Sequence, residues 1–222
     1  MAERLVEETG PEVQLQPKVA SKGERTRAKV MDIAYDAIVQ KGFAATSIDE
    51  LVEAAGITKS GFFYHFRDKN DLARKLFDRF LDEDEAIVDT LAERARKLAD
   101  DPLQSFLIFL NLYAELMDGM EDLHPGCMVA SIAYQEQLFD AAIRQMNVDY
   151  LLRMRERFES WLDEIVAEHE PKSTIAAADL ADMLTGTVEG AIILSKALKD
   201  NGLMGRQMRQ YRQHIKLIFG GV

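Results

Sequence analysis

Ser47-Ile48-Asp49-Glu50-Leu51-Val52-Glu53-Ala54-Ala55-Gly56-Ile57-Thr58-Lys59-Ser60-Gly61-Phe62-Phe63-Tyr64-His65-Phe66 is the stretch that decides the fold. Serine followed three residues later by glutamate is a capping box, in which each side chain satisfies the other residue's free amide, so a helix is predicted from Ser47 to Ala55. Gly56-Ile57 turns the chain, and Thr58 is placed to cap a second short helix ending near Phe66. Ile48, Leu51, Val52, Ala55, Ile57 and Phe62 supply apolar contacts between the two helices. A helix from about Glu24 to Lys41 precedes them, with Val30, Ile33, Ala34, Ala37 and Ile38 on one face and Arg25, Arg27 and Lys29 near its start. Gly42 is predicted to end it as a left-handed residue. Two short helices across a tight turn, behind a packing helix, form a helix-turn-helix.

Outward from this unit the pattern stays helical, and no sustained period-2 alternation predicts a strand. Asp68 caps a helix whose apolar positions continue past Leu76 to Leu91. Further helices are predicted from Asp101-Pro102 to Gly119, from Cys127 to Gln137, from Ala141 to Glu168, from a Ser173 cap to Lys199, and from Leu203 to Phe219. The fold class is all-α: an N-terminal three-helix unit followed by a larger helical domain. Residues 1–22 contain Gly10, Pro11 and Pro17 without helical period and are expected to be a flexible tail. The domains are then 23–70 and 71–222.

The chain has 222 residues, an apolar fraction of 47% and a charged fraction of 29%, as a soluble globular protein does. No uninterrupted apolar run has the length of a membrane span, and the N-terminus has no apolar core of the signal-peptide kind, so a cytoplasmic protein is expected. The single Cys127 excludes an intrachain disulfide and a cysteine-based zinc site. The formal net charge is −11, yet residues Lys22 to Lys75 hold 10 Lys/Arg against 8 Asp/Glu, which leaves the acidity to residues 76–222. A basic front on an acidic body suits a nucleic-acid-reading module. The four histidines are scattered, and there is no Gly-rich phosphate loop, nucleophile elbow or metal-spaced His/Glu pair. No catalytic residue, metal or cofactor is therefore predicted.

Gly42-Phe43-Ala44-Ala45-Thr46-Ser47-Ile48, Ala54 through Phe66, and Asp68-Lys69-Asn70-Asp71-Leu72 closely resemble the DNA-binding domain of the tetracycline-repressor (TetR) family. The resemblance covers about a quarter of the chain. It implies a bacterial regulator, usually a repressor, that binds a palindromic double-stranded operator as a homodimer and is released by a small molecule. The family usually carries tyrosine where this chain has Phe63, which removes a phenol that often reaches DNA. A major groove about 12 Å wide admits a helix end with base-reading side chains in its first turn. Thr58, Lys59 and Ser60 occupy that turn, and Gly61 would let the backbone lie close to DNA. Thr46 and Ser47 can serve one phosphate, and Tyr64, His65 and Lys69 the backbone on the other side. Thr58 and Ser47 would cap helices in any protein, and Phe62, Phe63 and Phe66 also suit a core.

In the body, the dimer interface is expected on the last two helices at Leu184, Val188, Ala191 and Ile192 and at Met208, Tyr211 and Ile215, with Gly186 and Gly190 allowing close approach. Ordinary intrachain core is the other reading of these residues. Three stripes suggest a pocket for a small, largely apolar effector: Phe106, Phe109, Tyr113 and Met117; Met128 and Tyr134; Met146, Tyr150, Phe158 and Trp161. Such stripes also read as plain core. Cys127 follows His124-Pro125-Gly126 at a helix start, where amide dipoles lower a thiol's pKa. It is either an oxidant or electrophile sensor in the pocket or a small buried apolar residue. Activation in place of repression, a helical enzyme, and an interaction protein that no longer binds DNA stay open.

Overall fold

The computed structural model describes residues 21–220. Of the tail expected over 1–22, residues 1–20 lie outside the described residues, while Ser21 and Lys22 cap and open the first helix. Within them the chain is all-α: α1 (Lys22–Lys41), α2 (Ile48–Ala55), α3 (Lys59–His65), α4 (Lys69–Leu98), α5 (Pro102–Asp118), α6 (Met128–Tyr134), a 3₁₀ turn (Glu136–Leu138), α7 (Ala141–Glu168), α8 (Ala177–Leu198) and α9 (Leu203–Phe219).

The head is α1 to α3 with the first turns of α4. Its core joins Val30, Ala34 and Ile38 of α1 to Leu51 of α2, Phe62 of α3, and Leu72, Leu76 and Phe77 of α4, all essentially free of solvent. Gly56 (φ 67°) makes the α2–α3 turn in the left-handed region that a side chain would disfavour. At the next junction Asp71 is buried. It accepts from the Arg67 amide at 3.0 Å, the Arg67 guanidinium at 3.1 Å and the Lys75 ammonium at 2.9 Å. Lys75 also donates to the His65 carbonyl at 3.0 Å, so the end of α3 is tied to the start of α4.

The body has α5 packed on α4 and α9, and α8 packed on α7 and α9. The α5–α9 approach is close enough that a Cβ on Gly205 would lie 2.0 Å from Asp118 Oδ1 and 3.1 Å from the Ala114 carbonyl. Helices α4 and α7 run parallel at a constant register. Arg153 pairs with Glu85 at 2.6 Å, Arg157 with Asp89, and Arg96 with Glu164 at 2.9 Å. Exposed pairs of this kind contribute about 0–1 kcal/mol each, so the ladder sets register more than stability.

Several boundaries differ from the sequence-based expectation. α1 starts at Lys22, because Ser21 and Glu24 form a reciprocal capping box. At α2 only half of the predicted box forms. Ser47 caps the Glu50 amide at 3.2 Å, but the Glu50 carboxylate goes to Lys41 instead. Gly42 has the expected positive φ, 88°, with an extended ψ of 159°. The predicted Cys127–Gln137 helix stops at Tyr134 and tightens into the 3₁₀ turn, after which Phe139 packs on Phe43 with ring centroids 4.5 Å apart. Ser173 does not cap α8, which begins at Ala177; the Lys172 amide donates to the Ile218 carbonyl at 2.8 Å, and that bond holds the preceding segment against the end of α9.

Burial raises the Asp71 pKa, but Lys75 and the two Arg67 donors outweigh it and hold the carboxyl well below its ordinary range. A carboxylate depressed in this way stabilises the fold above its unfolded-state pKa and loses that contribution as pH falls. Asp71→Asn is therefore expected to destabilise the head by about 1–3 kcal/mol at pH 7. The gap to the parent should narrow from pH 5 toward pH 3, as read by amide exchange of α1 and α4; a gap independent of pH would contradict the assignment.

Candidate nucleic-acid interface and ligand cavity

The first turn of α3 stands out from the head. Thr58 caps it, accepting from the Gly61 amide at 3.1 Å and sharing a 2.9 Å hydrogen bond with Ser60. Thr58, Lys59 and Ser60 are exposed, and Tyr64 is 84% exposed. Phe62 and Phe66 anchor the helix in the core, whereas Phe63 stands half out of it at 51%. A Cβ on Gly61 would meet nothing closer than Thr58 Oγ1 at 3.4 Å, an ordinary contact, so the chain itself does not demand glycine there. Lys59 is held by Asp49 of α2 at 2.5 Å, both ends being well exposed.

Two predicted phosphate ligands are committed elsewhere. Thr46 is buried and donates its hydroxyl to the Gly42 carbonyl at 3.0 Å. Lys69 donates to the Phe43 carbonyl and lies 4.1 Å from the centre of the Phe43 ring, and partial burial lowers its pKa. Both brace the α1–α2 turn, because a polar group in a partly buried turn is satisfied internally before it can serve a ligand. Ser47 and His65 lie at the surface or half-buried near it. The start of α1 adjoins the end of α3, with the His65 ring 3.7 Å from where a Gly23 Cβ would sit. It brings up Lys22, Arg25 and Arg27, which are exposed and form no ion pair among the described residues. Their place in the sequence, ahead of the motif, gave no sign of that proximity.

The body encloses a cavity of about 560 Å³ between α4, α5, α7 and α8, reaching α1 and the α5–α6 loop. Of the predicted pocket residues, Phe109, Tyr113, Met117, Cys127, Tyr150 and Phe158 line it. Phe106 and Met128 are core behind its wall, and Trp161 is buried with its indole N–H donating to the Pro102 carbonyl at 3.2 Å. Met146 packs against the core away from the cavity, and Tyr134 is 74% exposed because α6 turns it outward. The cavity also carries two acids that the sequence did not single out: Asp84 of α4 accepts from the Tyr150 hydroxyl, and Glu189 of α8 is half-buried. Burial raises the pKa of both.

The expectation of a lowered Cys127 thiol is overturned. Burial, followed by the charge of Glu189, pushes it well above its ordinary value, and this outweighs the helix-start amides. The expected interface side chains are likewise spent inside the chain. Leu184, Ala191, Ile192, Met208, Tyr211 and Ile215 are buried, with Tyr211 donating to the Leu180 carbonyl at 2.9 Å, and Val188 lines the cavity. What α8 turns outward is Met183, Gly186, Gly190 and Leu194, and nothing lies within 4 Å of a Cβ built on either glycine. At the surface, ligand atoms of Asp101, Glu168 and His169 come within 4.8 Å of one another. Asp101 is already engaged, capping α5 through the Gln104 amide and meeting His169 Nε2 at 2.6 Å.

A helix-turn-helix head thus sits on an all-helical body that holds a cavity. Residues 30–76 match the model of the bacterial regulatory proteins of the tetR family. The HTH-type transcriptional regulator AcrR of Shigella flexneri is 33% identical over 61 residues, 28% of each chain, so the match spans little more than a quarter of that relative's length. YfiR of Bacillus subtilis, an HTH-type transcriptional regulator, is 24% identical over 90% of this chain and 97% of its own. A TetR-family regulator from Agrobacterium tumefaciens shares the fold with a TM-score of 0.73 at 22% identity, over 86% of this chain and 98% of that one. Residues 30–76 are thus similar to the DNA-binding region of the tetR family, and the described chain shares the fold of the solved relative. No helix of the described residues is long and apolar enough to cross a membrane.

Because the residue is half-buried and its thiol pKa raised, Cys127 is expected to react with a disulfide reagent at pH 8 on the order of 100-fold more slowly in the folded chain than after unfolding. Equal rates in the two states would return it to the role of an exposed, activated thiol.

Proposed function

We infer that this chain is a DNA-binding transcriptional repressor and not an enzyme, acting as a homodimer on a palindromic operator and released by a small molecule in the body cavity. The observation that carries the reading is the exposed first turn of α3, with Thr58, Lys59, Ser60 and Gly61 presented on a head in which Thr46 and Lys69 are satisfied internally. The relatives named above are themselves described as HTH-type transcriptional regulators.

In the free chain Asp49 neutralises Lys59. Entry of α3 into a major groove exchanges that carboxylate for guanine O6 and N7 or for phosphate, so the pair also screens the lysine from unproductive contacts. Phosphate contacts come from Ser47, Tyr64 and His65, joined by Lys22, Arg25 and Arg27 at the start of α1. A helix of seven residues reads only a few base pairs, so specific affinity calls for two copies about 34 Å apart. The outward strip of α8 at Met183, Gly186, Gly190 and Leu194, with Leu217 of α9 63% exposed nearby in the helical hairpin, is the surface we assign to pairing.

Release needs only that the ligand bind the DNA-incompetent arrangement more tightly than the competent one. α4 supports this, since Leu72 and Leu76 belong to the head core while Asp84 and Val88 wall the cavity.

Selection from random duplex DNA is expected to enrich a palindrome with half-sites about one turn apart. Gly61→Ala should stabilise α3 by about 1 kcal/mol, since its Cβ meets only ordinary contacts. The same variant should lose at least about tenfold in affinity for the selected palindrome, equivalent to ~1.4 kcal/mol. Sequence-independent binding, or undiminished operator affinity in the stabilised variant, would overturn the reading.

A further inference from the structure

The cavity is built for a charge that the chain does not supply. Asp84 and Glu189 line it from two different helices, α4 and α8. Among the described residues, the Asp84 carboxylate's one hydrogen-bond partner from the opposite wall is the Tyr150 hydroxyl. Glu189 Oε2 is buried and has no hydrogen-bond partner among the described residues, and the carboxylate faces the Cys127 thiol, which brings no positive charge. Among the described residues, the one Lys or Arg side chain lining the cavity, Arg79, is engaged by Asp32 at 2.8 Å and Glu83 at 3.7 Å toward α1 and its own helix. His124 offers no cation: its Nδ1 accepts from the Gly126 amide at 3.2 Å, and burial lowers its pKa. Carboxylates withdrawn from water without a counter-charge are costly, and the cost disappears once an opposite charge enters.

The remaining wall is aromatic and apolar. Phe109, Tyr113 and Phe158 surround the space beside Tyr150, while Tyr35 and Phe80 stack on each other at 6.0 Å toward α1. Aromatic faces beside carboxylates favour a cation whose charge is spread over carbon-bearing groups. An anion would meet the two acids at close range, and a neutral apolar molecule would leave them unpaired.

Resting on the effector reading above, we propose that the cavity takes an amphipathic organic cation, a quaternary ammonium or protonated amine on an apolar body, whose charge sits between Asp84 and Glu189. The expectation of a largely apolar effector is thereby narrowed: the body is apolar and the head is positive. Burial raises the pKa of both carboxyls in the empty cavity, and a bound cation restores their ionised form.

The test uses the full chain and three probes that share one tail: decyltrimethylammonium, decanol and decanoate, each below its micelle concentration. Binding is followed by the fluorescence of Trp161, the single tryptophan, whose ring lies 5.5 Å from that of the cavity-lining Phe109. The cation is expected to bind at least tenfold more tightly than decanol, with decanoate weakest. Asp84→Asn/Glu189→Gln, which removes only charge and should hold or raise thermal stability, is expected to bring the cation's affinity down to that of decanol. If decanol or decanoate matches the cation, or the double variant keeps the preference, the cation proposal fails while the cavity stands as a ligand site. Absence of binding by all three would remove the cavity reading as well.

Discussion

Helix α4 is the constraint on which the rest depends. Thirty residues of continuous helix extend about 45 Å, so the helix behaves as a rod between the two domains. Its first turns are inseparable from the reading head, because Leu72, Leu76 and Phe77 complete the core that holds Phe62 and hence α3 in place. Its middle is a wall of the cavity, through Phe80, Asp84 and Val88. A close-packed rod cannot shift at one end without moving the other. On the proposed reading, a molecule that repositions the cavity wall would change the angle at which α3 is presented.

The joint between head and body is built to feel such a shift. Arg74 of α4 pairs with Asp140, the cap of α7, at 2.5 Å. Lys196 of α8 donates to the Val39 carbonyl of α1 at 3.0 Å and to the Pro125 carbonyl of the α5–α6 loop at 2.7 Å. Tyr35, which lines the cavity from α1, donates to the Gly126 carbonyl at 3.2 Å. The head is thus joined to the body by these polar contacts together with apolar packing, including Phe43 on Phe139 and Tyr35 on Phe80. Coupling of this kind is reciprocal: DNA that favours one head angle must weaken whatever ligand favours the other.

The head was far more legible in sequence than the body, for physical reasons. Caps and turns are local, so Ser47, Thr58, Asp68 and Gly56 announced the helix boundaries within one or two residues. Ser173 misled because the Lys172–Ile218 hydrogen bond, between segments far apart in sequence, decides where α8 starts. Lys69 and Thr46 looked like phosphate ligands because their internal partners, the Phe43 ring and the carbonyls of Phe43 and Gly42, are defined only by the folded turn. In the body, helical periodicity marks which residues turn inward but not which inward residues meet a void. Phe106 and Phe109 lie on one stripe, yet only Phe109 borders the cavity. Asp84 and Glu189 were hidden because an acid on a long helix normally faces water; the chemistry of the cavity appears only when α4 and α8 are set side by side.

The central claim is that cavity occupancy and head angle are one equilibrium. The most direct measurement is the distance between spin labels on the two heads of the proposed dimer, placed at the exposed Glu53→Cys of α2 in a Cys127→Ala background. It is recorded with operator DNA bound and, separately, with the cavity filled by Val188→Trp. The account predicts one narrow distribution on DNA and a distinct, displaced distribution in the filled variant. Identical distributions in the two states would mean that the rod does not transmit what happens in the cavity, and the coupling would have to be sought elsewhere.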